Sequence, residues 1–282
     1  MLSDIKIALI GPGVMAEAML KGLLNKKLAS PQHICISGPN AERNQELHTV
    51  YGVQSFTDNR AAAAQADIVV LAIKPQRMEK VVGELKGSLK ADTFILSIIA
   101  GASIAKITRL SGHKRIVRCM PNTPAQIGEG ITVWTASPQV SAAQQEMTRT
   151  FLNAFGKEIF VEEEDYLDKA TALSGTGPAY VYLFMEAMVD AGVHLGFPRR
   201  IAERLVIETL RGSVDYYDDG QSDSKHLASL RNQVTSPGGT SAEALYYLEK
   251  AGFRTAISRA IWAAYQRSKE LGKDAETNPP EE

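Results

Sequence analysis

Two glycine-containing segments hold the residues best suited to do chemistry. The first is a run of six residues: Gly11, Pro12, Gly13, Val14, Met15 and Ala16. The spacing G-x-G-x-x-A allows a tight turn, lets a pyrophosphate approach the backbone, and lets a helix pack closely on a strand. A helix that begins here offers unpaired N–H groups to phosphate. The run therefore predicts a dinucleotide site, and the alternative is an ordinary tight turn between strand and helix.

The second segment lies far along the chain, where hydroxyls and glycines lead into a predicted helix: Ser236, Pro237, Gly238, Gly239, Thr240 and Ser241. Backbone N–H groups at such a helix start bind a small anion, a carboxylate in preference to a long phosphate chain. We expect Thr240 or Ser241 to cap the helix, with Glu243 close behind. A capped loop without a ligand is the alternative. It is disfavoured if the chain binds a nicotinamide, because hydride transfer needs a second element to hold the substrate.

The choice of dinucleotide depends on residues that follow the predicted second strand. An acidic residue there would bind the ribose hydroxyls of NAD and repel a 2′-phosphate. The chain instead has Ser37, Asn40 and Arg43, whose hydroxyl, amide and guanidinium groups suit a phosphate. We therefore expect NADPH to be favoured and NADH to be possible. Alternatively, Ser37 and Asn40 only cap the helix that begins near Ala41.

Buried strands must position these groups. Apolar runs at residues 5–10, 68–73 and 94–99 are typical of central parallel strands. Ligands bind at the carboxyl ends of such strands. We expect two groups of residues there to face the cofactor: Ala72, Ile73, Lys74 and Pro75 after one strand, and Ala100 and Gly101 after the next. Pro75 could instead only start a helix.

Strand and helix patterns alternate through Val161, which indicates an α/β fold with a doubly wound parallel sheet of Rossmann type. Beyond the acidic run at residues 162–165, which we interpret as a solvated helix start, only helical patterns follow. The predicted domains are a dinucleotide-binding domain (1–163), an all-α substrate and dimerisation domain (164–272) and a disordered tail (273–282). Ser174 to Pro178 is expected to be a flexible break between helices. Apolar residues cover most of the next helix, which suggests self-association.

Bulk composition argues against several classes of function. Thirty-one Lys and Arg balance 32 Asp and Glu, so charge gives no support for a nucleic-acid or membrane partner. The apolar runs are too short to span a bilayer, and no signal-peptide pattern is present, so a soluble cytoplasmic protein is expected. Cys35 and Cys119 lie in predicted strands as small buried hydrophobes. No metal site is predicted, and the scattered histidines give little support to hydrolytic chemistry.

Four motifs in order resemble the pyrroline-5-carboxylate reductase family over residues 11–272: Ala72 to Gln76, Met120 to Pro124, Ser174 to Tyr180, and Ser236 to Thr240. The resemblance implies an NAD(P)H enzyme that makes proline, the last step of proline biosynthesis. It implies cofactor contacts from the Gly11 turn, Ser37, Asn59, residues 72–75 and residues 100–101. It also implies that residues 236–241 hold the substrate carboxylate, and that helical domains interlock into dimers or larger assemblies.

Two residues depart from the family pattern. Val14 stands where an Asn is common, which removes one polar contact to the cofactor. Ser241 stands where Thr is usual, and the resemblance implies that its hydroxyl bonds the substrate ring nitrogen. Serine retains that hydroxyl with less rotamer restriction. Ser241 is thus the predicted catalytic residue, and Ser236, Gly238, Gly239 and Thr240 are the predicted substrate contacts.

Two other functions fit parts of the pattern. Related two-domain hydroxyacid reductases place a catalytic Lys, with an Asn one helical turn later, behind a glycine-rich turn. Here that region holds Val181, Leu183, Phe184 and Met185. A non-catalytic NADP-binding sensor would need no substrate loop, so the segment at residues 236–241 argues against it. Fold alone does not decide among these functions.

Overall fold

The computed structural model describes residues 2–218 and 226–277. Within them, eight strands form one sheet in the order β3-β2-β1-β4-β5-β6-β7-β8. The strands are β1 (Ile7–Ile10), β2 (Ile34–Ser37), β3 (Gln54–Phe56), β4 (Ile68–Leu71), β5 (Phe94–Ser97), β6 (Ile116–Met120), β7 (Gly130–Ala136) and β8 (Gly156–Phe160). Strand β1 pairs in parallel with both β2 and β4. The predicted α/β fold with a doubly wound sheet is confirmed.

The helices between these strands are α1 (Val14–Asn25), α2 (Ala41–Tyr51), α3 (Asn59–Ala64), α4 (Met78–Glu84), α5 (Ile104–Ser111) and α6 (Ala142–Leu152). After β8 the chain continues in α7 (Tyr166–Ala170), α8 (Gly177–His194), α9 (Arg199–Asp218), α10 (Leu227–Gln233), α11 (Thr240–Lys250) and α12 (Phe253–Thr277). Among the described residues, no helix combines the length and apolar character that crossing a membrane requires. The predicted switch from alternating elements to helices is confirmed.

Each face of the sheet carries its own hydrophobic core. Side chains alternate along β1, so that Ile7 and Leu9 join one buried cluster while Ala8 and Ile10 join the other. Burial on both faces explains the continuous apolar runs of the central strands. The two cysteines, Cys35 and Cys119, are free and buried, as predicted.

Strand β7 corrects the prediction of a parallel sheet. It runs antiparallel to β6, with Arg118 opposite Thr135. The segment between the two strands holds only a 3-10 turn, Thr123–Ile127. Parallel neighbours need a crossover of a dozen or more residues, so this short connection turns the chain back.

The chain divides into two compact units. The first contains residues up to 178 together with those from 263 onward, and the second contains residues 179–262. Helix α12 therefore contributes its last part to the first unit. The predicted domain boundary at residue 163 stays a prediction.

Two predicted irregular segments are helical. Most of Ser174 to Pro178 is helical, because a π-helical turn (Thr171–Gly175) and the start of α8 at Gly177 are separated only by a bend at Thr176. Pro178 is tolerated in the first turn of α8, where its missing N–H has no helical acceptor. The first residues of the predicted disordered tail lie in α12, which continues to Thr277. Residues 278–282 of that tail lie outside the described residues, as do residues 223–225, where the sequence predicts the start of a helix that runs to Asn232.

Candidate functional site

In the first unit, the candidate site lies at the carboxyl edge of the parallel strands. Strand β1 is flanked by β2 on one side and β4 on the other. From β1 the chain moves to β2 and β3, and it then returns to build β4, β5 and β6 on the opposite side. This reversal is the topological switch point at which open α/β sheets bind ligands.

The turn after β1 is wedged between the ends of its two neighbours. The Gly11 N–H donates to the Ser37 carbonyl at 2.8 Å. Gly11 has a φ of +89°, and a Cβ there would lie 2.7 Å from the Ala72 carbonyl oxygen and 2.6 Å from a methyl carbon of Ile73. Only glycine fits this position, because it lacks a Cβ and adopts positive φ without strain.

The start of helix α1 is open. Gly13 is its N-cap and offers no side-chain cap, and a Cβ on Gly13 would meet no atom within 4 Å. Ala16 is buried, as its packing role requires, whereas Val14 is 59% exposed. Free N–H groups at an open glycine helix start suit a pyrophosphate, so these residues fit the dinucleotide that the sequence predicts.

Ser37 and Asn59 come together at the end of β2. The Ser37 side chain is fully buried, and its hydroxyl donates to the Asn59 Oδ1 at 2.8 Å. The Asn59 amide in turn donates to Glu84 at 3.1 Å. Asn40 accepts from the Arg43 backbone N–H at 3.0 Å and caps α2, which is the alternative role that the sequence allowed.

Arg43 is the centre of a cluster that sequence reasoning missed. Its Nε donates to the Pro12 carbonyl at 3.2 Å, and its Nη1 donates to Glu46 at 2.8 Å. Its Nη2 pairs with Glu17, and the Tyr51 hydroxyl donates to the same carboxylate at 2.8 Å. We call Arg43, Glu17, Glu46 and Tyr51 the Arg43 cluster. An acidic residue directly after Ala16 was visible in the sequence and was the available signal.

The ionisation of the cluster follows from these contacts. Hydrogen bonds to Glu46 and Glu17 raise the pKa of the Arg43 guanidinium. Burial tends to raise the pKa of Glu17, but the hydrogen bonds from Arg43 and Tyr51 outweigh it and lower that pKa. Both partners are therefore charged at neutral pH.

Residues 72–75 and 100–101 follow β4 and β5 as predicted. The Ala72 N–H extends the pairing by donating to the Ile10 carbonyl at 2.8 Å, and Pro75 opens a 3-10 turn. Gly101 has a φ of +72°, and a Cβ there would lie 2.7 Å from the backbone nitrogen of Gly272. Its lack of a side chain thus serves contact with α12, whereas the sequence suggested that Ala100 and Gly101 face the cofactor.

A buried ion network near α7 was also missed. Arg118 in β6 is buried and contacts Glu164 at 3.0 Å and Asp168 at 2.9 Å. Glu164 also accepts from the Ile104 N–H, and the Ser268 hydroxyl donates to Asp168. The acidic run at residues 162–165 is therefore not simply a solvated helix start, because Glu164 neutralises a buried arginine. Arg118 within an apolar strand was the signal.

In the second unit, Ser236 to Gly239 form a tight turn. The Gly239 N–H donates to the Ser236 carbonyl at 3.0 Å, and Gly238 has a φ of +69°. Proline at the second position and glycine with positive φ at the third define a type II turn. A Cβ on Gly239 would lie 2.4 Å from the Ser236 hydroxyl oxygen, so side chains are excluded from the inner surface of the turn.

Helix α11 corrects the predicted cap. It begins at Thr240, and its N-cap is Gly239, which supplies no side-chain hydrogen bond. Thr240 and Ser241 are therefore the first two helical residues and do not act as the cap. Their hydroxyls have no hydrogen-bond partner among the described residues. Helices α1 and α11 thus both begin at an uncapped glycine, whereas α2 and α5 carry side-chain caps.

Within the described part of the chain, neither the two cysteines nor the metal-ligating residue types indicate nucleophilic or metal chemistry. Burial raises the pKa of the Cys35 thiol to about 11, and burial also raises the pKa of the Cys119 thiol well above its usual value. A thiol is nucleophilic as its thiolate, so neither cysteine serves at neutral pH. Among the described residues, no three His, Cys, Asp or Glu side chains form a group that could hold a metal ion.

Family models match both parts of the chain. Residues 6–101 match the family described as NADP oxidoreductase coenzyme F420-dependent, and residues 164–271 match Pyrroline-5-carboxylate reductase dimerisation. The pyrroline-5-carboxylate reductase of Synechocystis sp. is 39% identical over 270 residues, which cover 96% of this chain and 99% of that protein. The chain belongs to the pyrroline-5-carboxylate reductase family. The resemblance based on four motifs is therefore confirmed.

Solved structures of pyrroline-5-carboxylate reductases are similar to this chain over nearly its full length. The Plasmodium falciparum pyrroline carboxylate reductase, crystallised with NADP bound, has a TM-score of 0.87 at 32% identity and covers 96% of this chain and 99% of its own. The Coxiella burnetii pyrroline-5-carboxylate reductase has a TM-score of 0.86 at 35% identity and covers 96% of this chain and 100% of its own. The fold and an NAD(P)H-dependent oxidoreductase activity follow from this membership.

Proposed function

We propose that this chain reduces 1-pyrroline-5-carboxylate to proline, with NADPH as the favoured donor and NADH as a possible one. One observation carries the proposal: two helices of a pyrroline-5-carboxylate reductase family member, α1 and α11, begin at uncapped glycines. The first start suits a pyrophosphate and the second a small carboxylate. Such a pair of anion sites is what a dinucleotide-dependent reductase of an amino-acid precursor requires.

The first unit holds the cofactor in this proposal. The free N–H groups at the start of α1 bind the pyrophosphate, while the ends of β2, β4 and β5 line the rest of the edge. The residues assigned to it are Gly11, Pro12, Gly13, Val14, Met15, Ala16, Ser37, Asn40, Arg43, Asn59, Ala72, Ile73, Lys74, Pro75, Ala100 and Gly101. When bound, the reduced nicotinamide supplies a hydride.

The turn before α11 holds the substrate in this proposal. Backbone N–H groups from Gly238 to Thr240, with the Ser236 hydroxyl, fix the carboxylate, and the Ser241 hydroxyl hydrogen-bonds the ring nitrogen. A protonated imine carbon is already electrophilic, so position and one hydrogen bond suffice. The imine carbon gains the hydride, and the nitrogen keeps its proton and becomes the proline amine. No strong general base is required.

The alternatives receive less support. A hydroxyacid reductase needs a catalytic Lys near the start of α8, where the chain instead has Val181, Leu183 and Phe184. A non-catalytic NADP-binding sensor binds no substrate, so it would not need the uncapped turn before α11. Family membership over nearly the full chain also favours the imine reductase.

We further propose that the second unit mediates self-association. Within it, Leu183 is 66% and Trp262 is 63% exposed, and Tyr182 and Tyr247 are likewise exposed. Apolar exposure on this scale is typical of an interface. The match to a dimerisation family over residues 164–271 supports a dimer or larger assembly. A cytoplasmic location, without nucleic-acid or membrane partners, stays a prediction from the sequence.

The test is the initial rate of NADPH oxidation by the purified protein with 1-pyrroline-5-carboxylate, repeated with NADH. We expect saturable turnover with both donors and a higher kcat/KM with NADPH. A folded protein that binds NADPH but does not turn over this imine would contradict the proposed substrate.

A further inference from the structure

We propose that Glu17 sets the discrimination between NADPH and NADH, because its carboxylate competes with the 2′-phosphate of NADPH for the guanidinium of Arg43. The inference rests on the proposed function, which assigns the dinucleotide to this edge of the sheet. It adds a specificity-determining residue that contacts Arg43 from α1.

Arg43 lies where a 2′-phosphate is read in this class of fold. The ribose next to the adenine lies at the end of the second strand, beside the fingerprint turn. The Arg43 Nε donates to the Pro12 carbonyl within that turn at 3.2 Å. The turn after β2 packs on the same residue, since a Cβ on Gly38 would lie 2.5 Å from Pro12 Cδ. Arg60 in α3 does not share this position, because its Nε donates to the Glu84 carbonyl at 2.6 Å.

The guanidinium of Arg43 is already occupied. Glu46 accepts from Nη1 of Arg43, and Glu17 accepts from Nη2. One positive charge is therefore paired with two negative charges, so the three side chains together carry a net charge of −1. A phosphate monoester carries close to two negative charges at neutral pH. It can bind Arg43 only if a carboxylate gives up its hydrogen bond. NADH, which lacks the phosphate, leaves both pairs intact.

The two carboxylates are not equivalent competitors. The Glu46 side chain is 59% exposed and lies three residues from Arg43 on the same helix, and such pairs are weak. The Glu17 side chain is 30% exposed and lies on α1, and the Tyr51 hydroxyl holds its second oxygen at 2.8 Å. A phosphate therefore displaces the Glu46 carboxylate from Arg43 easily, whereas it displaces the Glu17 carboxylate only with difficulty.

The direct test measures binding without catalysis. Isothermal titration with 2′,5′-ADP and with 5′-ADP compares the adenosine halves of the two dinucleotides. We expect Glu17→Gln to tighten 2′,5′-ADP binding about fivefold to tenfold and to change 5′-ADP binding less than about twofold. In the double variant Glu17→Gln/Arg43→Gln, the gain should disappear.

Two further variants act as controls. Glu42 is exposed in the first turn of α2, and its side chain is not among the partners of the Arg43 guanidinium, so Glu42→Gln removes the same charge without removing an ion pair. We expect it to change either affinity less than about twofold. Tyr51→Phe keeps the charge of Glu17 but removes the bond that holds it. A smaller tightening of 2′,5′-ADP binding is expected there, even if Glu17→Gln fails to fold.

Kinetics provides the second readout. In Glu17→Gln, the ratio of kcat/KM for NADPH to that for NADH should rise by a similar factor. An unchanged or weaker affinity for 2′,5′-ADP in Glu17→Gln, or an equal gain in Glu42→Gln, would overturn the role of Glu17. Absence of imine reduction by the wild-type protein would instead contradict the proposed function, and the two ADP affinities would still decide the role of Glu17.

Discussion

At the scale of single residues, Ser241 has the most specific proposed role. It lies in the first turn of α11, and its hydroxyl has no hydrogen-bond partner among the described residues. We expect Ser241→Ala to lower kcat/KM for the imine about tenfold to a hundredfold, because a hydrogen bond to a charged nitrogen is lost. Ser241→Thr should retain most of the activity, since it keeps the hydroxyl.

Steady-state kinetics and NADPH titration check this prediction. The affinity for NADPH should stay unchanged in both variants, because Ser241 has no assigned contact with the cofactor. Wild-type kcat/KM in Ser241→Ala would show that the hydroxyl does not act on the substrate.

Glu17 also predicts a pH dependence of stability. Its pKa is lowered in the folded protein from the ordinary value of 4.5, so its ion pair stabilises the fold above that value and loses the contribution as the pH falls further. At pH 7 we expect Glu17→Gln to lower the free energy of unfolding by about 0.5–1 kcal/mol, as for a partly exposed pair. The difference should shrink as the pH falls through the lowered folded-state pKa of Glu17.

Urea unfolding of both proteins at pH 7 and at about pH 3.5 measures this effect. Protein concentration must be equal, because self-association also contributes to apparent stability. A difference in unfolding free energy that persists unchanged at the acidic pH would assign the effect to packing.

At the scale of elements, the contact between the β5–α5 turn and α12 is decided by two glycines. A Cβ on Gly272 would lie 2.7 Å from the Gly101 carbonyl oxygen. We expect Gly272→Ala to lower the free energy of unfolding by about 1–3 kcal/mol, because backbone must shift to admit the methyl group. Thermal and urea unfolding measure the change.

Gly83 provides the matched control. It lies within α4, and a Cβ there meets no atom within 4 Å. Gly83→Ala should stabilise the protein by about 0.5–1 kcal/mol, as expected from helix propensity. Equal stability changes in the two variants would show that α12 does not pack tightly on Gly101.

The elements also show which features of the fold could be predicted locally. Apolar runs identified the buried strands, because a strand covered on both faces needs apolar side chains at every position. The direction of β7 was not predictable in this way, since the apolar pattern of a strand does not depend on its direction. Only the short connection after β6 determines it.

At the scale of the whole molecule, the exposed apolar side chains of the second unit predict self-association. Leu183→Glu places a charge at a 66% exposed leucine, so it should disturb an interface without disturbing the core. We expect a lower molar mass by light scattering than that of the wild-type protein, because a buried charge without a partner is costly. Val50→Glu makes the same kind of change at an exposed position on α2.

The Val50→Glu control should leave the molar mass unchanged. A wild-type protein that is already monomeric at micromolar concentration would contradict self-association. So would a Leu183→Glu protein whose mass equals that of the wild type.

The sequence by itself determined the features that depend on neighbouring residues. Gly11 and Gly13 specify the turn before α1, and Pro237-Gly238 specifies the turn before α11, because backbone conformation at these positions depends on residue type. Burial of the two cysteines follows from the strands that contain them. The motifs at residues 72–76, 120–124, 174–180 and 236–240 were enough to indicate the family.

Only the tertiary structure decided which distant residues meet. Arg43 was predicted to read a phosphate, but the fold places it against Glu17 of α1, and Gly101 owes its lack of a side chain to Gly272. Glu164 likewise finds a buried arginine in β6. Electrostatic and packing energies depend on distance in space, which local sequence patterns do not specify. The chemistry available at each position was therefore evident from the sequence, whereas its partners were not.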